Sequence, residues 1–178
     1  ACAAAQRSVE EITLLAVSKT FDAASVREAA ACGQRAFGEN YIQEAVDKMA
    51  LLADLPLEWH CIGPIQSNKT RLVAENFQWA HGVDRLKTAQ RLSDQRPGHL
   101  PPLQVCIQVN IDGGANKSGV PAFEALYRSV GMHRVAGDAG EDIGEPGLRI
   151  DAVHLGCDDE AIHDRGALAS AIGTAEQP

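Results

Sequence analysis

Lys19 is the residue of this chain best placed to do covalent chemistry. It closes the run Ile12-Thr13-Leu14-Leu15-Ala16-Val17-Ser18, a mostly apolar stretch without a formal charge. Such a run reads as a strand buried on both faces, as in parallel sheets with helices outside. An amine at the carboxyl end of a parallel strand sits where α/β folds place their ligands. Partial desolvation there lowers an amine's pKa and frees it for attack on a carbonyl. The competing reading is a lysine leaning out to water, and the residue alone does not choose between them.

Other segments offer polar groups at similar positions. Gly38-Glu39-Asn40-Tyr41 falls at the end of a second strand, where Asn40 either bonds a ligand or caps the next helix. His60, in Trp59-His60-Cys61-Ile62-Gly63, either faces a pocket mouth or is a satisfied core histidine. Lys69, in Gln66-Ser67-Asn68-Lys69, reads as a solvated cation. Asn116-Lys117-Ser118-Gly119 is placed to open a helix and bind an anion, or to form an ordinary loop. Ile172-Gly173-Thr174 could present N–H groups and a hydroxyl to a phosphate, because late barrel loops are frequent phosphate sites. The six histidines show no ligand spacing, so no metal is placed. No G-x-S-x-G, P-loop or G-x-G-x-x-G motif occurs, which weakens hydrolase, NTPase and dinucleotide readings.

The elements that must position these groups alternate. Asp22 can cap a helix over Ala23–Cys32 that Gly33 ends. Ala36–Gly38 is a short strand, followed by a helix from Ile42 to Leu55 with Ile42, Ala45, Val46 and Met49 on one face. Leu57–Gly63 is a third strand, and Ser67-Asn68 opens a helix carrying Leu72 and Val73. Trp79–Val83 is a fourth strand, followed by a helix from Asp84 to Ser93. Leu103–Ile111 is a fifth strand, and Pro121–Val130 is helical. Gly131–Gly147 holds five glycines and four acids with no periodicity, and reads as loop or disorder. Leu148–Gly156 then reads as strand, Asp158–Arg165 as helix and Leu168–Gly173 as strand. Strict alternation predicts a parallel sheet, either doubly wound or a (β/α)₈ barrel, with seven strands where closure needs eight.

A chain of 178 residues suits one domain with a sizeable core. A formal charge of −8 argues against nucleic acid as partner, so any anion site must be local. Cys2, Cys32, Cys61, Cys106 and Cys157 lack disulfide or zinc spacing and read as small buried hydrophobes in a reducing cytosol. No run is long enough to span a bilayer, and no secretory leader is recognisable. The opening Ala1-Cys2-Ala3-Ala4-Ala5 lacks a methionine and reads as the middle of a helix, as if the true start lay upstream.

Several of these segments together resemble one family. Leu14-Leu15-Ala16-Val17-Ser18-Lys19-Thr20, Phe37-Gly38-Glu39-Asn40-Tyr41, the run from His60 to Lys69, and Lys117-Ser118-Gly119 are similar to the YggS/PROSC family of pyridoxal phosphate homeostasis proteins. The likeness runs from about Glu10 to Val120 and resumes in Leu155-Gly156 and Ile172-Gly173-Thr174. It implies a single-domain (β/α)₈ TIM-type barrel over residues 1–178, like the N-terminal domain of alanine racemase, here incomplete at about seven strands and irregular over 131–147. It implies that Lys19 carries pyridoxal 5′-phosphate as a Schiff base, that Asn40 helps position the ring, and that Gly173 and Thr174 keep part of the phosphate site. The implied role is in intracellular homeostasis of the cofactor, as a carrier or regulator without a defined reaction. The implied setting is cytoplasmic, with the chain a monomer whose partners are the cofactor and the apoenzymes that depend on it, not nucleic acid or membrane.

The chain departs from that pattern towards its end. Ala171 stands where the family has an arginine contributing to the phosphate grip, and Asp158 where it has a serine. Losing an arginine–phosphate contact removes about 1.5–3 kcal/mol. The segment 131–147 is also shorter than its counterpart, and two residues are missing between Cys157 and Gly166. These departures leave a second reading open, a truncated member that no longer holds the cofactor. A third is a racemase-like enzyme, which would need a second acid/base on the opposite face of the cofactor. The chain's tyrosines are Tyr41 and Tyr127.

Overall fold

The computed structural model describes residues 2–111, 114 and 117–121, together with the backbone of 148–156. The expected helix over Pro121–Val130 (Pro121 apart), the irregular stretch Gly131–Gly147, the helix Asp158–Arg165 and the strand Leu168–Gly173 lie outside the described residues. So do Asn116, Tyr127, Cys157, Asp158, Ala171, Gly173 and Thr174.

Strand and helix alternate as the pattern of apolar runs and turn residues requires. The order is β1 (Ala16–Val17), α1 (Ala23–Ala31), β2 (Ala36–Glu39), α2 (Ile42–Leu51), β3 (Glu58–Cys61) and α3 (Thr70–Asn76). It continues with β4 (Trp79–Val83), α4 (Leu86–Gln95), β5 (Leu103–Asn110), β6 (Val120–Pro121) and β7 (Leu148–Gly156). All pairings are parallel, in the order β1-β2-β3-β4-β5-β6, with β7 running along β5 from Leu103 to Asn110. Among the described residues the sheet has seven strands and does not close on itself.

One face of each strand meets the helices. Phe37, Trp59, Cys61, Ala80, Leu103, Val105, Ile107 and Val109 form a single core with Val26, Ala45, Val73, Ala89 and Leu92. Complete burial of a large side chain such as Phe37, Phe77 or Leu103 contributes about 1.5–3 kcal/mol.

Local chemistry sets the boundaries. Asp22 Oδ1 accepts from the Ser25 N–H (2.8 Å) and hydroxyl (2.7 Å) at the start of α1. These bonds hold the Asp22 carboxyl below its ordinary pKa. Gly33, at φ +101°, ends that helix. Helix α2 stops at Leu51, short of the expected Leu55, because Pro56 drives the residue before it out of helical conformation. Arg27 donates to the Leu51 carbonyl there (3.2 Å) and to both oxygens of Asp54 (2.6 and 2.8 Å). Arg96 donates to the carbonyls of Ala74 (2.6 Å), Phe77 (2.8 Å) and Pro101 (2.8 Å), capping α3 and tying it to the approach to β5. Arg96→Met should lower unfolding stability by about 2 kcal/mol, measured by urea denaturation, because three carbonyls lose a charged donor.

Three expectations fail here. The strand over Ile12–Ser18, buried on both faces, shrinks to Ala16–Val17, preceded by a short 3₁₀ turn at Val9–Glu11. Ile12, Leu14 and Val17 are exposed, since β1 pairs only with β2 among the described residues and its outer edge meets no strand. Residues 2–6 form turns closed by short-range bonds such as Ala5 N–H to Cys2 O, not the middle of a helix. Cys32, expected inside, is exposed at the C-cap of α1, although Cys61 and Cys106 are buried; the four described cysteines are all free. Among the described residues no helix is long and apolar enough to cross a membrane.

Candidate functional site

The carboxyl ends of β1 to β3 meet at one level, beside the start of β4. The register aligns Val17 with Gly38, Gly38 with His60 and His60 with Trp79, so Ser18 and Glu39 stand one step further along. Lys19 is the first residue of a tight turn after β1, closed by the Phe21 N–H to Ser18 O bond (3.0 Å). It is half-buried, and its amine has no hydrogen-bond or ion-pair partner among the described residues. It stands at the strand end that the α/β architecture reserves for ligands.

Ser18, directly before it, is fixed at every polar atom. Its N–H donates to Gly38 O (2.9 Å), its hydroxyl donates to Glu39 Oε1 (2.7 Å), and its carbonyl accepts from Phe21 N–H and from Lys48 Nζ (2.8 Å). Lys48 Nζ also donates to Glu39 Oε1 at 2.6 Å, forming an ion pair in which Glu39 is 1% and Lys48 11% exposed. Glu39 Oε2 is buried with no hydrogen-bond partner among the described residues. The cluster lies between the sheet and α2, on the side of the strands that meets the helices.

Residue types alone did not single out Glu39 or Lys48. The available signal was a carboxylate inside an otherwise apolar strand, and a lysine one helical turn beyond Ala45 on the stripe that packs inward.

Asn40 is half-buried and does not cap α2. The N-cap position is Tyr41, which makes no side-chain cap bond, so the capping role considered for Asn40 is overturned. The Asn40 backbone is pressed against Gly63: a Cβ on Gly63 would lie 2.4 Å from Asn40 O. This close approach brings the loops after β2 and β3 together, and only a glycine permits it.

His60 is a core histidine. Its Nε2 meets Glu58 Oε1 at 2.9 Å and its Nδ1 meets His81 Nε2 at 3.0 Å, while its ring stacks on Trp79 with centroids 5.3 Å apart. Trp59 and Cys61 face the helices, so Glu58, His60, Trp79 and His81 occupy the opposite face, which in a barrel is the interior. With a Glu58 carboxylate accepting from His60 Nε2–H, His60 Nδ1 accepts and His81 Nε2 carries a proton. This chain of polar groups gave no sequence signal, since the three residues sit on two different strands. Burial pushes the Cys61 thiol up to about 12, which removes it as a nucleophile near the site.

Lys69 donates to Gln43 Oε1 (3.2 Å) at the surface, in keeping with an ordinary cation. Lys117-Ser118-Gly119 does not open a helix but leads into β6, with Gly119 at φ +121° packed against the backbone of Asn110. Among the described residues no group of three or more histidines, cysteines or acids could hold a metal ion.

The family described as alanine racemase, N-terminal domain, matches residues 2–140. The pyridoxal phosphate homeostasis protein of Pseudomonas aeruginosa is 68% identical over 142 residues, covering 77% of this chain and 62% of that protein. The protein of the same name from Escherichia coli K12 is 60% identical over 121 residues, covering 66% of this chain and 52% of its own length. The chain thus spans between about half and two thirds of these curated relatives. PipY of Synechococcus elongatus, solved without PLP, aligns with TM-score 0.67 at 34% identity, covering 96% of this chain and 74% of that one. The same protein with PLP bound aligns with TM-score 0.63 at 32% identity, over the same shares. The parallel sheet, its flanking helices and these matches agree: the chain belongs to the alanine racemase N-terminal domain family and has its TIM-type (β/α) fold.

Proposed function

We propose that this chain is a pyridoxal 5′-phosphate-binding protein of the homeostasis type, with Lys19 as the attachment point. The observation that carries the reading is a half-buried lysine at the carboxyl end of β1, its amine without a partner among the described residues, in a sheet that superposes on a protein solved with PLP bound. The donor set fits: a primary amine without a bonding partner among the described residues suits an aldehyde, and the amide of the half-buried Asn40 can bond a ring substituent. When bound, the cofactor supplies an electrophilic aldehyde on an electron-withdrawing ring. Lys19 holds it covalently, Asn40 orients it, and Gly173 and Thr174 contribute to the phosphate site. The hydrogen-bonded Ser18 peptide fixes the backbone from which the Lys19 side chain extends. The chain acts in the cytoplasm as a monomer that buffers or passes on the cofactor to enzymes depending on it. The four described cysteines are free, which suits that reducing compartment.

Titration with pyridoxal phosphate should produce an absorbance band at about 420 nm that is absent in Lys19→Ala. No band in the intact protein, or an equal band in the variant, overturns the proposal.

A further inference from the structure

The buried Glu39–Lys48 pair does more than join α2 to the sheet. We infer that Glu39 and Lys48 are positioning residues for Lys19, acting through the Ser18 peptide. This rests on Lys19 being the attachment point proposed above.

The geometry carries the inference. Lys48 Nζ donates at once to the Ser18 carbonyl (2.8 Å) and to Glu39 Oε1 (2.6 Å), and that oxygen also receives the Ser18 hydroxyl (2.7 Å). The three groups form a closed ring around the residue that precedes Lys19. The Ser18 carbonyl belongs to the peptide whose nitrogen is that of Lys19, so the ammonium of Lys48 grips the backbone one bond from it. Strand β1 is only two residues long and pairs on one side among the described residues, so ladder bonds alone hold it weakly. A buried ion pair is a poor choice for stability, and Glu39 Oε2 has no hydrogen-bond partner among the described residues. Apolar residues would join α2 to β2 at lower cost, but they could not grip a carbonyl. The arrangement is explained by what it holds in place.

Hydrogen exchange on the cofactor-free protein tests this directly, alongside the rate of borohydride-fixed labelling of Lys19 by pyridoxal phosphate. The double variant Glu39→Leu with Lys48→Met, which strands no charge, should raise exchange in the peptide covering Ser18 to Phe21 by about tenfold while leaving Val105 to Val109 unchanged, and should slow labelling of Lys19 by a similar factor. Glu39→Gln keeps the volume and an acceptor for the Ser18 hydroxyl, and should give the same pattern more weakly; it decides the matter if the double variant does not fold. Uniform loss of protection across the sheet, or unchanged exchange at Ser18 to Phe21, overturns the inference. So does wild-type labelling speed in a folded variant. If the wild-type protein itself takes no label, the cofactor reading fails, and the exchange arm still decides whether the pair positions Lys19.

Discussion

Lys48→Met is expected to cost about 3–5 kcal/mol of unfolding stability, because it strands the Glu39 carboxylate in the core without its cation. The Ser18 carbonyl loses one of its two donors at the same time, and the Ser18 hydroxyl is left bonded to an uncompensated charge. Replacing the pair together, Glu39→Leu with Lys48→Met, should return most of that loss, since apolar residues of similar volume often replace a buried ion pair without penalty. The double variant therefore separates two roles. It should melt within a few degrees of the wild type in a thermal scan, yet still label Lys19 slowly, because nothing holds the Ser18 carbonyl. A double variant as unstable as the single one would show that repacking, not the stranded charge, sets the cost.

Gly63→Ala is expected to be nearly as severe, at about 3 kcal/mol, the upper end for inserting a methyl group into a packed site. The added Cβ would lie 2.4 Å from Asn40 O, 2.8 Å from Asn40 Cα and 2.9 Å from Asn40 C, and backbone atoms cannot rotate out of the way. The loops after β2 and β3 must separate, which moves Asn40 away from the end of β1. Urea denaturation should report the stability loss, and pyridoxal phosphate titration a weaker apparent affinity in whatever fraction stays folded. Wild-type stability in this variant would mean that the two loops are not in contact.

Much of the architecture could be read from the chain because each unit carries its own punctuation. Trp79–Val83 and Leu148–Gly156 are strands with the expected bounds, since turn-forming residues delimit them. Asp22 and Gly33 mark α1 at both ends because capping is a local interaction. The length of β1 was not legible. Ile12, Leu14 and Val17 have strand composition, but whether an apolar residue is buried depends on what lies across the sheet, and periodicity does not report that.

The site divides in the same way. Lys19 was visible as an amine closing an apolar run, and the structure leaves it half-buried, with no partner among the described residues. The Asn40 side chain was read as cap or ligand contact, and the geometry of Tyr41 removes the cap. Glu39, Lys48 and the Glu58–His60–His81 chain depend on register between strands and on which helix face meets the sheet. Those are tertiary facts, and no single segment of sequence contains them.

The central claim is that Lys19, and no other lysine, is the covalent point of attachment. The most direct measurement is to mix the protein with pyridoxal phosphate, reduce with borohydride, digest, and locate the adduct by mass spectrometry. The account predicts a single modified peptide, with the added group on Lys19. An adduct spread over surface lysines such as Lys69 and Lys117, or no adduct at all, would contradict it.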